Sequence, residues 1–144
     1  MQALYPILLL SLACLGTPTA PPAAEKTASQ AAEKTVAGVD SIEQISVQRL
    51  HELMEAGPLL LVDVRTPGEY SSGHVPKARS IPLSELPERM VELESHRGEP
   101  VYLICAVGGR SMQAAELLSE AGFKKPINIS GGTRGWKEKS LPLE

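Results

Sequence analysis

Apolar residues in this chain follow two patterns: short uninterrupted runs, and positions three or four apart. Leu59-Leu60-Leu61-Val62-Asp63-Val64 follows the turn signal Gly57-Pro58 and reads as a strand buried on both faces. Val101-Tyr102-Leu103-Ile104-Cys105, entered through Pro100, is a second such run. Residues 42–45, 78–81 and 127–129 are shorter strand candidates. The spaced pattern predicts helices between them. Ser46 is a natural N-cap for one, with Val47, Leu50, Leu53 and Met54 at helical spacing and Gly57 just past the end. Pro87 suits the first turn of another that carries Met90, Val91 and Leu93. A third, over 111–121, sets Met112, Ala115, Leu118 and Ala121 on one face, with Gly122 as its stop. Strands alternating with helices argue for an α/β layer fold with a mainly parallel sheet.

The N-terminal pattern is different. Residues 4–15 are Leu, Ile and Ala, interrupted only by Tyr5, Pro6, Ser11 and Cys14. A mature membrane-spanning helix needs about 20 apolar residues, so this run reads instead as the core of an export signal. Residues 1–20 are expected to be a signal peptide, with cleavage near 13–20, although no Lys or Arg precedes the run. Leu12-Ala13-Cys14 comes close to a bacterial lipoprotein signal, which makes Cys14 a candidate lipid anchor. The leucine stands one place too near the cysteine, and a cysteine discarded with the signal is the plainer alternative. From 17 to 38 the chain is mostly Pro, Ala, Thr, Ser, Glu and Lys, with Val36 its one large apolar residue. Such a stretch cannot offset ordering entropy by burial, so 21–39 is read as a flexible linker and 40–144 as the domain. The expected location is outside the cytoplasm, in a bacterial periplasm, with no transmembrane span in the mature protein.

Composition narrows the chemistry. The 144 residues are 42% hydrophobic and 22% charged, which suits one packed soluble domain. A net charge of -3 gives no reason to expect nucleic acid as a partner. The only two cysteines are Cys14 and Cys105, so the domain holds one thiol and neither an internal disulfide nor a Cys-x-x-Cys pair. His51, His74 and His96 share no metal-ligand spacing with each other or with Cys105.

In parallel sheets ligands bind beyond the carboxyl ends of strands. Two loops qualify: Arg65-Thr66-Pro67-Gly68-Glu69-Tyr70, and Cys105-Ala106-Val107-Gly108-Gly109-Arg110-Ser111. The second begins where a buried strand stops and ends where a helix starts. Its glycine pair lets several N–H groups turn toward one spot, and the helix adds its positive end there. An anion or a thiolate would be stabilised, and a thiol that ordinarily titrates at about 8.5 would be lowered. Arg110 offers a fixed charge able to clamp a sulfonate or phosphate oxygen. The bland alternative is that Cys105 is a small hydrophobe closing a core strand. A glycine pair and an arginine at the end of that strand speak against it.

Asp63-Val64-Arg65, Glu69-Tyr70, Gly73-His74-Val75-Pro76 and Ile81-Pro82-Leu83 resemble, in order and spacing, the first block of the rhodanese family. Residues 101–105 with Gly108, Arg110 and Ser111 resemble its active-site loop, and Asn128, Gly131-Gly132 and Trp136 its closing segment. Lys77 stands where the family usually has glycine, and Ser80 where asparagine is common, which bears on local turn geometry. The resemblance implies a three-layer rhodanese-like domain with helices on both faces of the sheet. It implies that Cys105 takes the outer sulfur of a thiosulfate-like anion as a persulfide and yields it to a cyanide or thiol acceptor, without metal or organic cofactor. Backbone N–H groups of Ala106, Val107, Gly108, Gly109 and Arg110 would hold the substrate. Asp63, Arg65 and Ser111 would support the loop, the first two more as a structural pair than as catalysts. His74 is expected to fix a turn, and Trp136 to pack the last helix.

Two rivals stay open. Cysteine phosphatases and arsenate reductases use Cys-x5-Arg, whereas the count here is Cys-x4-Arg, and Ile104 replaces the histidine typical before their cysteine. A non-catalytic sulfur carrier or protein-binding module would keep the fold and bind partners whether or not Cys105 were changed. The sulfur donor, the acceptor and the oligomeric state are not written in these residues.

Overall fold

The computed structural model describes residues 41–144. The expected signal peptide, the linker and Cys14 lie outside the described residues. Helix α1 (Val47–Ala56) follows strand β1 (Glu43–Ser46) directly, because Ser46 Oγ accepts the Arg49 N–H and ends the strand as an N-cap. Strand β2 (Leu60–Asp63) and the short β3 (Arg79–Ser80) flank a one-turn helix, α2 (Pro67–Ser71). Helix α3 (Leu86–Arg89) leads into a 3₁₀ segment (Met90–His96). Strand β4 (Pro100–Ile104), helix α4 (Gly109–Glu120), strand β5 (Lys125–Ser130) and helix α5 (Gly132–Glu138) complete the domain. No helix among the described residues is long and apolar enough to cross a membrane.

All pairings in the five-stranded sheet are parallel, in the order β1-β5-β4-β2-β3. Side chains alternate across a strand, so β4 divides the core in two. Val101, Leu103 and Cys105 face a layer with Leu86, Leu93, Ala114, Ala115 and Leu118 from α3, the 3₁₀ segment and α4. Tyr102 and Ile104 face the other layer, with Val47, Leu50 and Trp136 from α1 and α5. The three-layer α/β architecture follows. Trp136 is fully buried and donates its indole N–H to Pro142 O at 2.7 Å, which ties the C-terminal tail to α5.

The chain leaves β2 toward β3 on one side and leaves β4 toward β5 on the other. Since β2 and β4 are neighbours, a crevice opens between their carboxyl ends, the switch point where such sheets bind ligands. Both candidate loops depart from it.

Three elements differ from the sequence expectation. The loop after β2 contains helix α2, nucleated by a capping box in which Thr66 Oγ1 accepts from Glu69 N–H and the Glu69 carboxylate accepts from Thr66 N–H. Beyond Pro87, α-helix persists only to Arg89. The 3₁₀ segment that follows repeats every three residues, so Met90 and Leu93 share the inner face while Val91 is turned outward and is 72% exposed. Helix α4 begins at Gly109, and its buried face is Ser111, Ala114, Ala115 and Leu118. Met112 and Ala121 sit at the margin, since small residues let α4 approach the sheet closely.

Lys77, the position where the family usually has glycine, holds φ +63. L-residues are strained there by about 1–2 kcal/mol, and glycine adds about 0.4–1 kcal/mol of unfolded-state freedom, so Lys77→Gly is expected to stabilise by about 0.5–1 kcal/mol. Urea denaturation checks this, and a lower midpoint for the variant would refute it.

Candidate active site

Period-two alternation along β4 carries Cys105 to the α4 side of the sheet, one residue beyond the last paired position. The residue is 1% exposed. Its sulfur accepts the Gly108 N–H at 3.1 Å and lies 3.3 Å from the Ser111 hydroxyl oxygen. Gly108 holds φ +115, which an L-side chain resists, and this turn bends the chain back over the sulfur. Burial pushes the thiol up. Hydrogen bonds from the Ser111 hydroxyl and from the Ser111, Gly108 and Val107 amides outweigh it, and the thiol rests below its ordinary value.

The start of α5 aims the Val107 amide among these. Thr133 N–H donates to Cys105 O at 2.8 Å, and Arg134 N–H donates to Ala106 O at 3.0 Å. In a trans peptide the C=O and the following N–H point opposite ways. Carbonyls drawn toward α5 therefore turn the Ala106 and Val107 N–H groups back into the loop. The approach is possible only because Gly132 lacks a side chain: a Cβ there would stand 2.3 Å from Cys105 O and 2.6 Å from the Ala106 carbonyl carbon.

The other proposed residues are arranged around this loop. Ala106 is half-buried, Val107 and Gly109 are exposed, and Gly108 is buried. The guanidinium of Arg110, the candidate clamp for a substrate anion, is closed onto Glu69: its two terminal nitrogens donate to the two carboxylate oxygens, each at 2.7 Å. The pair bridges the loops after β2 and β4 across the switch point. The Arg110 fork foremost, against burial, with Thr66 N–H and hydroxyl adding, holds the Glu69 carboxyl down to about 2 from an ordinary 4.5. Asp63 and Arg65 are both buried and form a second pair: Arg65 Nη2 lies 2.6 Å from Asp63 Oδ2 and 3.0 Å from Gly73 O. That geometry pins the end of β2 to the turn before His74. The His74 ring stacks on Tyr70 with centroids 3.7 Å apart, and its Nδ1 lies 3.2 Å from Tyr70 O. Among the described residues no group of three or more His, Cys, Asp or Glu side chains could hold a metal ion.

Three contributors were not singled out from sequence for this site: Glu69, Gly132 and Asn128. Asn128 Oδ1 accepts from Ser111 at 2.6 Å, and its residue is buried. Each left a signal. Thr66-x-x-Glu69 is a capping-box pattern, Asn128 is a lone polar residue between Ile127 and Ile129, and Gly132 stands in a glycine pair before a helix.

Gly132→Ala is expected to turn the Val107 amide off the sulfur. Losing one hydrogen bond to a thiolate is worth about 1.5–3 kcal/mol, so alkylation of Cys105 at neutral pH should slow by about tenfold or more. Unchanged alkylation in a folded variant would refute the role given to α5. The Glu69–Arg110 pair predicts a pH dependence of stability. A depressed carboxyl adds stability that is present above about pH 4.5 and is lost as pH falls toward about 2. The partners' side chains are 35% and 38% exposed, so Glu69→Gln should cost on the order of 1 kcal/mol or less at pH 7. That difference should close over the same acid range in urea melts, and a pH-independent one would refute it.

Comparison with known proteins places the chain in one family. The rhodanese-like domain family matches residues 46–139. A sulfurtransferase of Allochromatium vinosum is 36% identical over 91 residues, covering 63% of this chain and 83% of that protein. A putative sulfurtransferase of Bacillus subtilis is 38% identical over 102 residues, covering 70% of this chain and 96% of that one. Among solved structures, a rhodanese-related protein from Thermoplasma volcanium superposes with a TM-score of 0.61 at 36% identity, covering 71% of this chain and 97% of that one. The human single-domain sulfurtransferase gives 0.58 at 28% identity, covering 69% and 98%. With its parallel sheet, its cysteine loop at the switch point and a match over most of the domain, this chain belongs to the rhodanese family.

Proposed function

We propose that this protein moves a sulfane sulfur from a donor such as thiosulfate to a thiophilic acceptor, cyanide or a thiol, through a persulfide on Cys105. The observation that carries the reading is the sulfur cradle: a thiol beyond β4 with an amide at 3.1 Å and a hydroxyl at 3.3 Å, its titration drawn downward. In the first half-reaction the Cys105 thiolate attacks the outer sulfur of thiosulfate. The bond between that sulfur and the sulfonate sulfur breaks, and sulfite leaves with the electron pair. In the second, the acceptor attacks the outer persulfide sulfur, the S–S bond breaks and the thiolate returns. Two half-reactions through one covalent intermediate give ping-pong kinetics. The loop amides stabilise the negative charge on sulfur in both.

Arg110 supports sulfur over phosphate. A Cys-Arg phosphatase turns its arginine fork onto the phosphoryl oxygens, whereas this fork is closed on Glu69. The loop is also one residue shorter than theirs. An open cleft of about 370 Å³ adjoins Ala106, and Arg134 and Lys137 on its wall have no ion-pair partner among the described residues. Glu138 shares that wall, and with Glu69 closed on Arg110 and Arg65 on Asp63 the cleft keeps one net positive charge for an anionic donor. Because Cys105 is 1% exposed, the loop yields when the donor enters. We also propose, from the apolar run at 4–15, that the protein is exported, in a bacterium to the periplasm.

Intact mass of the protein purified from cells, before and after thiosulfate treatment, tests both readings. The expected result is a gain of one sulfur that cyanide removes and that Cys105→Ser never acquires. No gain with any donor overturns the transfer reading, and phosphatase turnover without cyanide-labile sulfur favours the rival. A starting mass that retains residues 1–20 overturns export.

A further inference from the structure

Ser111 has one hydroxyl proton and three acceptors within reach. Its Oγ lies 2.6 Å from Asn128 Oδ1, 3.1 Å from Gly108 O and 3.3 Å from Cys105 Sγ. A hydroxyl donates once, so these bonds exclude one another. The shortest leads to Asn128, at a length typical of a strong O–H···O bond. Ser111 and Asn128 are 0% and 2% exposed, so no bulk water intervenes to relieve the competition.

Asn128 is itself held. Strand alternation places Ile127 and Ile129 on the α1/α5 side and Asn128 on the α4 side, beside Ser111. Its Nδ2 donates to Gln44 Oε1 at 3.3 Å, across the register pair Gln44–Asn128. Gln44 is exposed on the edge strand and also accepts from Ser130 Oγ at 3.3 Å. The amide is thereby oriented with its oxygen toward Ser111.

We propose that Asn128 is a positioning residue that draws the Ser111 proton away from Cys105 while the cysteine is a thiol, and that ionisation of the sulfur turns the proton onto Cys105. In the thiol form Ser111 donates to Asn128 and offers the sulfur only a lone pair. A thiolate is the stronger acceptor and reclaims the proton, and Asn128 loses its bond or rotates its Nδ2 toward Ser111. Asn128 thus opposes formation of the nucleophile, whereas Ser111 favours it. The charged groups around the sulfur are Arg110 of α4, which senses the Cys105 charge, and behind it Glu69 of α2 and the Asp63–Arg65 pair of β2. None of these changes in the variants below.

The inference rests on Cys105 being the nucleophile, but its test uses no sulfur donor. Alkylation of the full-length protein is followed against pH, with the Cys105 peptide quantified by mass spectrometry so that Cys14 is not counted. Removing a neutral hydrogen-bond competitor is worth about half to one unit of thiol pKa, so Asn128→Leu should lower it by that amount. Ser111→Ala should raise it. In the Ser111→Ala background Asn128→Leu should have no further effect, because its action passes through the hydroxyl. Gln44→Leu, a surface change, should lower the pKa by a smaller amount and serves if Asn128→Leu does not fold. An upward shift in Asn128→Leu or Gln44→Leu, or an equal shift with and without Ser111, overturns the proposal. Either result leaves sulfur loading standing, and a failure of sulfur loading leaves this titration intact.

Discussion

An N–H group in the cysteine loop can face the sulfur only if the carbonyl of the same peptide faces away, and something must accept that carbonyl. Helix α5 does so. Its first amides take Cys105 O and Ala106 O at 2.8 and 3.0 Å, and Gly132 lets the two backbones come that close. A buried carbonyl without a partner would destabilise the loop, so the docking of α5 fixes the first peptides of the cradle and with them the Val107 amide. Trp136 then anchors α5 in the opposite core layer. The site therefore depends on packing on the far side of the sheet from its own sulfur.

Burial and polarity oppose each other at Cys105. Taking a thiolate out of water is unfavourable, and the loop offsets this with several short-range dipoles rather than with one adjacent cation. Hydrogen bonds to a charged acceptor are worth about 1.5–3 kcal/mol each, so a few together decide the sign. The full charges of the two loops themselves are arranged in pairs. Asp63 with Arg65 and Glu69 with Arg110 neutralise each other and fasten loops. A site built this way stabilises charge on one atom, the sulfur, and leaves less positive field for the four oxygens of a phosphate.

Much of the fold was legible because β2 and β4 are buried on both faces, and burial on both faces leaves a continuous apolar run. Helix α1 was legible through Ser46 and Gly57, since cap chemistry is local. Helix α2 was read as a loop because one turn has no apolar period, although Thr66 and Glu69 carried its capping box. Val91 was given to a helical face that the 3₁₀ geometry does not have. That choice between helix types rests on how the segment meets Leu86 and Leu93 in the core, which no local pattern encodes.

The sequence by itself determined the longer strands and helices, the parallel α/β architecture and the position of the one thiol of the domain. Those follow from periodicity, from turn residues and from counting cysteines. Only the tertiary structure decided that Arg110 meets Glu69, that Asn128 meets Ser111 and that α5 orients the first two peptides of the cysteine loop. These contacts join residues 41, 17 and 28 positions apart. Their partners are chosen by strand order and by the face each residue takes, and a linear pattern specifies neither.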